Sequence, residues 1–133
     1  MMYTGEIPAS LKYTKEHEWA KAEHDTAIIG ITDYAQHALT DVVFVELPEL
    51  GKKVQQFKPL CVIESVKSVS DIFAPFSGEV VEVNTELSSN PEFVNQSPYE
   101  KGWIAKIKIH DKKEEHNLMD SHHYKKHLEG MGH

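Results

Sequence analysis

Glu64-Ser65-Val66-Lys67-Ser68-Val69-Ser70-Asp71 is the stretch on which the fold turns. It sets one lysine between two short β-prone runs, Pro59 to Ile63 and Ile72 to Ala74, with Val66 and Ser68 rather than other cations at its sides. Pro75 and Gly78 follow closely and suit a chain that must turn back. A lysine alone at a strand-to-strand turn can offer its amine to a modifying enzyme and then carry a prosthetic group. The same pattern also fits a lysine that is merely solvated, and the rest of the chain must decide between them.

The surrounding sequence repeats the strand-and-turn pattern. Gly78 to Val83 follows as a further strand, and the apolar, β-branched run Val42 to Leu47 precedes, closed by the turn signal Pro48-Glu49-Leu50-Gly51. Glu18 to Ala22 and Thr26 to Ile31 flank His24-Asp25 and read as a hairpin. Thr32 offers an N-cap to a short helix over Asp33 to Leu39, with an acid in its first turn. Asn90-Pro91 reads as a cap followed by proline at the first helical position, with one helical turn to Gln96. Trp103, Ala105, Ile107 and Ile109 alternate with Ile104, Lys106 and Lys108, which marks a strand with one wetter face. Residues 1–12 read as an extended arm. From Lys113 the chain becomes charged and rich in histidine, and Leu118, Met119, Tyr124 and Leu128 loosely keep helical spacing. This predicts a C-terminal helix over about 113–129, ended by Gly130 and Gly132. Some seven closely spaced strands predict a mainly β sandwich or barrel built from hairpins, in a single domain spanning 1–133.

Composition narrows the function. The net charge is −7 and arginine is absent. That argues against a nucleic-acid partner, which needs clustered cations, and against an anionic membrane surface. It suits a protein that meets other proteins through acidic patches. Cys61 is the only cysteine, so no internal disulfide can form, and its place in Leu60-Cys61-Val62-Ile63 predicts a buried, inert thiol. No apolar run has the length of a membrane span, and the N-terminus reads as neither signal nor transit peptide. A reducing, cytoplasmic setting is the expectation.

The equipment of an enzyme is missing. Phosphate-cradling glycine motifs and the Gly-x-Ser-x-Gly elbow do not occur. His17-Glu18 resembles the start of a zinc-protease motif, but Lys21 stands where the second histidine is needed. His123 and His127 lie four apart and could share a helical face, yet no carboxylate or cysteine framework supports a metal there, and none is expected.

A likeness to a known family rests on an ordered series of segments. Glu64-Ser65-Val66-Lys67, Asp71 and Ala74-Pro75-Phe76-Ser77-Gly78-Glu79-Val80 resemble a lipoyl-carrier hairpin. Tyr13-Thr14-Lys15-Glu16-His17-Glu18-Trp19, Gly30-Ile31-Thr32-Asp33-Tyr34-Ala35-Gln36 and Val43-Phe44-Val45-Glu46-Leu47-Pro48 resemble successive segments of the glycine cleavage H proteins. So do Asn90-Pro91-Glu92-Phe93-Val94-Asn95 and Pro98-Tyr99-Glu100-Lys101-Gly102-Trp103. The resemblance runs in order from about Pro8 to Gly130.

It implies a barrel-sandwich hybrid with a short internal helix and a C-terminal helix, and lipoate in amide linkage to Lys67. It implies a shuttle, not a catalyst. The carrier takes an aminomethyl group from the pyridoxal-phosphate glycine decarboxylase (P protein) to the aminomethyltransferase (T protein). It is then reoxidised by dihydrolipoamide dehydrogenase (L protein), and a lipoate ligase or lipoyl transferase loads it first. Glu18 and Asp71 match positions near the arm and are candidates to hold its cationic loaded end. Otherwise, Glu18 reads as an exposed strand carboxylate and Asp71 as turn chemistry. Glu64 is a candidate for recognition by the modifying enzyme, or else one half of a cross-strand charge pair. Thr40 departs from the family, which usually has glycine before Asp41. A positive φ there would strain a threonine.

Several alternatives stay open. Biotin carriers share the lysine hairpin but usually have methionine on both sides of it, where Val66 and Ser68 stand here. Lipoyl domains of 2-oxoacid dehydrogenases are smaller and lack the His-Glu-Trp opening. A lipoyl relay that donates to other carriers, and an interaction module with unmodified Lys67, also remain.

Overall fold

A computed structural model describes residues 4–131. Two antiparallel sheets face each other and neither closes on itself. The larger has six strands in the order β1-β2-β3-β9-β8-β5: β1 (Lys12–Tyr13), β2 (Glu18–Glu23), β3 (Thr26–Ile31), β9 (Ala105–Ile109), β8 (Gly78–Val83) and β5 (Lys53–Val54). The smaller has the order β4-β6-β7: β4 (Val42–Glu46), β6 (Pro59–Ser65) and β7 (Val69–Phe73). This is the expected mainly β sandwich, with a short internal helix and a C-terminal one. The nine strands exceed the expected seven because β1 and β5 have two residues each, too few to leave a periodic signal.

The core lies between the sheets and is branched and aliphatic. Ile29 and Ile31 from β3, Ile104 and Ile107 beside and within β9, and Val45, Ile63 and Ile72 from the smaller sheet are all buried in it. At Gly30 and Gly78, as at Gly102, the packing leaves no room for a side chain. Gly30 is paired with Trp19, and a Cβ there would lie 2.6 Å from the indole ring. At Gly78 a Cβ would lie 1.9 Å from the backbone oxygen of Lys108.

Helix α1 (Asp33–Leu39) starts at Thr32, whose side chain accepts a hydrogen bond from the Ala35 N–H. It ends at Thr40, where φ is +66° and ψ is −152°. That region strongly favours glycine and costs a side-chain-bearing residue about 1–3 kcal/mol. Helix α2 (Phe93–Gln96) is one turn. It begins three residues after Asn90, whose backbone oxygen accepts from the Phe93 N–H, so Pro91 precedes the helix instead of opening it. Strand β9 begins at Ala105, not Trp103, and Ile104, placed by alternation on the wetter face, is buried in the core.

The C-terminal region departs most from the helix expected over 113–129. It divides into a 3-10 turn over Lys112–Asn117, capped by Asp111, and helix α3 (Ser121–Met131). Between them Met119 bridges to Tyr13, with N–H···O distances of 2.8 Å in both directions. Tyr124 and Leu128, one turn apart on α3, then pack with Leu11, Tyr13 and Trp19 in a second apolar cluster. Gly130 lies inside α3 and does not end it, while Gly132 falls outside the described residues.

Candidate functional site

The β6–β7 turn is fixed by its own serines. The Ser65 N–H donates to the Ser68 backbone oxygen at 2.8 Å. The Ser65 Oγ accepts from the Lys67 and Ser68 N–H groups at 3.2 and 3.0 Å. From outside the hairpin, the Asp41 backbone oxygen accepts from the Val66 N–H at 3.0 Å. The backbone at the tip is therefore pinned on two sides while the Lys67 side chain is exposed. Its Nζ lies 3.5 Å from the Ala38 backbone oxygen, near the negative end of α1.

Beside Lys67 runs an open groove of about 330 Å³. Ser68, Ser70 and Asp71 of the hairpin form one wall, and Tyr34, Ala35, Ala38 and Leu39 of the α1 region form the other. Glu16, His17 and Phe73 close its far end. Glu16 and Phe73 also border a larger cavity of about 560 Å³ that reaches Thr14, Glu18, Phe57 and Met119.

Of the predicted site residues, Asp71 is exposed and lines the Lys67 groove directly. Glu18 lines the neighbouring cavity instead and is not an exposed strand carboxylate, having a relative exposure of only 1%. Thr14 Oγ–H donates to one of its oxygens, and the Phe73 N–H donates to the other at 3.1 Å. Burial pushes its carboxyl up to about 7, and the charge of Glu16 adds to that, against the opposing pull of both hydrogen bonds. Near neutral pH, Glu18 is poised to gain or lose a proton. Glu64 is half-buried, and its direct cross-strand neighbours are Phe44 and Val69, so it makes no cross-strand charge pair. His123 contacts Asp120 at 2.7 Å while His127 contacts the Lys15 backbone oxygen at 3.1 Å, so the two histidines serve different partners. Cys61 is buried as expected, and burial pushes its thiol up to about 12.

His17 is the site residue that sequence reasoning missed. Its backbone sits at φ +76°, where the chain turns from exposed Glu16 to buried Glu18. Its backbone oxygen accepts from the Thr32 N–H at 3.0 Å, and its Nδ1 lies 2.9 Å from Tyr124 Oη. That hydroxyl in turn lies 2.8 Å from Thr32 Oγ1. The ring also packs at 4.7 Å on Tyr34. Burial, helped by His127, lowers the imidazole to about 4, so it borders the groove uncharged at neutral pH. Only a non-glycine residue at a tight turn could have hinted at this, and nothing in the local pattern marks the turn as left-handed.

Comparison with known proteins gives a consistent picture. A family model described as Glycine cleavage H-protein matches residues 11–131. The glycine cleavage system H protein of Halothermothrix orenii is 54% identical over 123 residues, covering 92% of this chain and 96% of that protein. The glycine cleavage system H protein of Staphylococcus carnosus is 52% identical over 119 residues, covering 90% and 94%. Among solved structures, the crystal structure of a glycine cleavage system H protein from Mycobacterium marinum superposes with a TM-score of 0.84 at 35% identity, covering 92% of this chain and 99% of that one.

Proposed function

The chain belongs to the glycine cleavage H-protein family, and from that premise we propose that Lys67 is its lipoyl attachment point. Proteins of this family are lipoate carriers of the glycine cleavage system. The observation that carries the assignment to Lys67 is its setting: a lysine with an exposed side chain on a hydrogen-bonded hairpin tip, beside an open groove. The geometry fits the group. The pinned backbone fixes the base of the arm, and the aliphatic and aromatic wall from α1 suits an apolar chain laid along it.

When attached, the lipoyl group supplies a disulfide that takes up a one-carbon fragment and is reduced in doing so. This chain's own residues carry, orient and shield. Acylation removes the Lys67 charge and so its attraction to the end of α1. Tethering then raises the local concentration of the reactive end at each partner. Asp71 at the groove wall and Glu18 in the adjoining cavity hold the cationic end of the loaded arm and keep water from it. Glu18 can do so as an anion because its proton is bound weakly enough to leave near pH 7. Glu64 contributes to recognition by the lipoate ligase or lipoyl transferase. The chain works in the cytoplasm between glycine decarboxylase, aminomethyltransferase and dihydrolipoamide dehydrogenase.

Intact-mass spectrometry after coexpression with a lipoate ligase tests the attachment. The wild-type chain gains a lipoyl-sized mass and Lys67→Ala does not. No gain, or a biotin-sized one, defeats the proposal. Glycine-dependent carbon dioxide exchange with the decarboxylase then separates glycine cleavage from a role confined to lipoyl relay.

A further inference from the structure

The sheet that presents Lys67 has one face against the core and the other open to solvent. The strand register sorts its side chains. Val45, Ile63 and Ser70 share a level, and the first two are buried in the core. The adjacent levels face outward. One carries Phe44, Glu64 and Val69, and the next carries Glu46, Val62 and Asp71. An irregularity between Val42 and Phe44 also turns Val43 out. The apolar exposure is large for so small an area: Phe44 is 47% exposed, Val43 52%, Val69 68% and Val66, next to the lysine, 69%. Contiguous apolar surface of this kind marks an interaction site more often than isolated exposed residues do.

The charge on this face is of one sign. Glu46, Glu64 and Asp71 alternate with the apolar groups across the strands. Besides Lys67 at the tip, Lys52 borders this face at its far margin, where its Nζ donates to the Leu60 backbone oxygen at 3.2 Å. Among the described residues, the ion pairs are Lys106 with Glu82 and His123 with Asp120, so these three carboxylates form no ion pair among them.

We infer that this outer face is the docking surface for the enzyme that acylates Lys67, which meets it with cations around an apolar centre. The inference rests on Lys67 being the attachment site. Amide formation joins the lysine nitrogen to the acyl carbon of an activated lipoyl donor, an acyl adenylate or thioester. The donor's bond to its leaving group breaks, and the ammonium nitrogen gives up two of its three protons to become a neutral secondary amide. That chemistry happens at Nζ itself, so the catalysing protein must sit over the tip and cover what adjoins it. Partners that act on the far end of a long arm work at a distance from the tip and can leave this face free. The matching of charge and apolar surface sets specificity and encounter rate.

The test uses the unmodified chain, a purified lipoate ligase, lipoate and ATP, with acylation followed by intact mass. Phe44→Ser and Glu46→Lys are expected to lower kcat/KM for acylation at least tenfold, chiefly through KM. Val81→Ser, also exposed but on the larger sheet, stays within twofold of wild type. Val69→Lys repeats the test at a position more exposed than Phe44, should Phe44→Ser fold poorly. Variants loaded to completion by prolonged incubation are expected to support carbon dioxide exchange with the decarboxylase at the wild-type rate. Acylation within twofold of wild type in Glu46→Lys and Val69→Lys overturns the inference and leaves the Lys67 assignment intact. An equal loss in the exchange reaction also overturns it, because the face would then serve partners in general. A wild-type chain that gains no mass overturns the carrier assignment, and this inference falls with it.

Discussion

Lys67 and Glu18 lie beside adjoining cavities, yet they are built in opposite ways. Lys67 stands in solvent on a tip ordered mostly by hydrogen bonds within four residues, with one more from the Val66 N–H to the Asp41 backbone oxygen. Glu18 is buried at a corner assembled from distant parts of the chain: Thr14 and Phe73 hold its carboxylate, and His17 beside it is held by Thr32 and Tyr124. The contrast teaches that the proposed attachment point relies mostly on local structure and access, whereas a carboxylate tuned to titrate near neutrality needs the whole fold around it. It also separates what mutation should do. Changes at the tip alter chemistry and leave stability alone, and changes at the corner do both.

The strongest test of that separation is Lys67→Ala. It should abolish lipoylation while leaving folding stability within about 0.5 kcal/mol, as for an exposed side chain, checked by mass and urea denaturation. A large stability loss would break the contrast. At the corner, Trp19→Ala should cost about 3–5 kcal/mol, because the indole is buried, packs against Gly30 and donates to the Pro98 backbone oxygen. Denaturation midpoints at constant pH report it.

Glu18 carries a pH signature. Its folded-state value of about 7 lies above its ordinary 4.5, so the protonated form is favoured by folding. Its contribution is fully present below about pH 4.5 and is lost as pH rises to 7. The loss is on the order of 3 kcal/mol from the size of the shift. Glu18→Gln should remove that slope, so that stability measured at pH 4, 6 and 8 falls less than in wild type. His17 runs the other way. Its folded value near 4 lies below its ordinary 6.5, and its contribution is present above 6.5 and lost as pH falls toward 4. His17→Asn should therefore flatten the acid side. Thermal melts of both variants across pH 4–8 resolve the opposed slopes. The smallest expected effect is at Thr40. Thr40→Gly relieves the backbone at φ +66°, and about 1 kcal/mol of stabilisation should remain after the added freedom of the unfolded chain.

The same contrast explains what could be read in the sequence. The lysine hairpin was legible because period-two strands and a turn lie within fifteen residues. Helix α1 was legible through Thr32, whose capping hydrogen bond is local. Helical spacing after Lys113 misled, because Leu118 and Met119 are extended. The place of Met119 is set by Tyr13, more than a hundred residues away, while Leu118 packs against Ala20, Ala27, Phe76 and Ile109. The burial of Glu18 was hidden for a related reason. Glu18, Trp19 and Ala20 are all buried, so both faces of β2 are covered at its start and strand alternation loses its meaning there.

The bridge between Tyr13 and Met119 has a consequence for synthesis. The backbone N–H and oxygen of Tyr13 both bond to Met119, and its ring stacks at 4.6 Å on Tyr124. The first strand therefore cannot be sealed until position 119 has left the ribosome. A chain halted before position 119 can form the lysine hairpin, but the enclosure around the Glu18 corner stays unfinished. Synthesis past position 119 and completion of this corner are thus linked, and a product terminated before that position differs first at the corner and last at the tip.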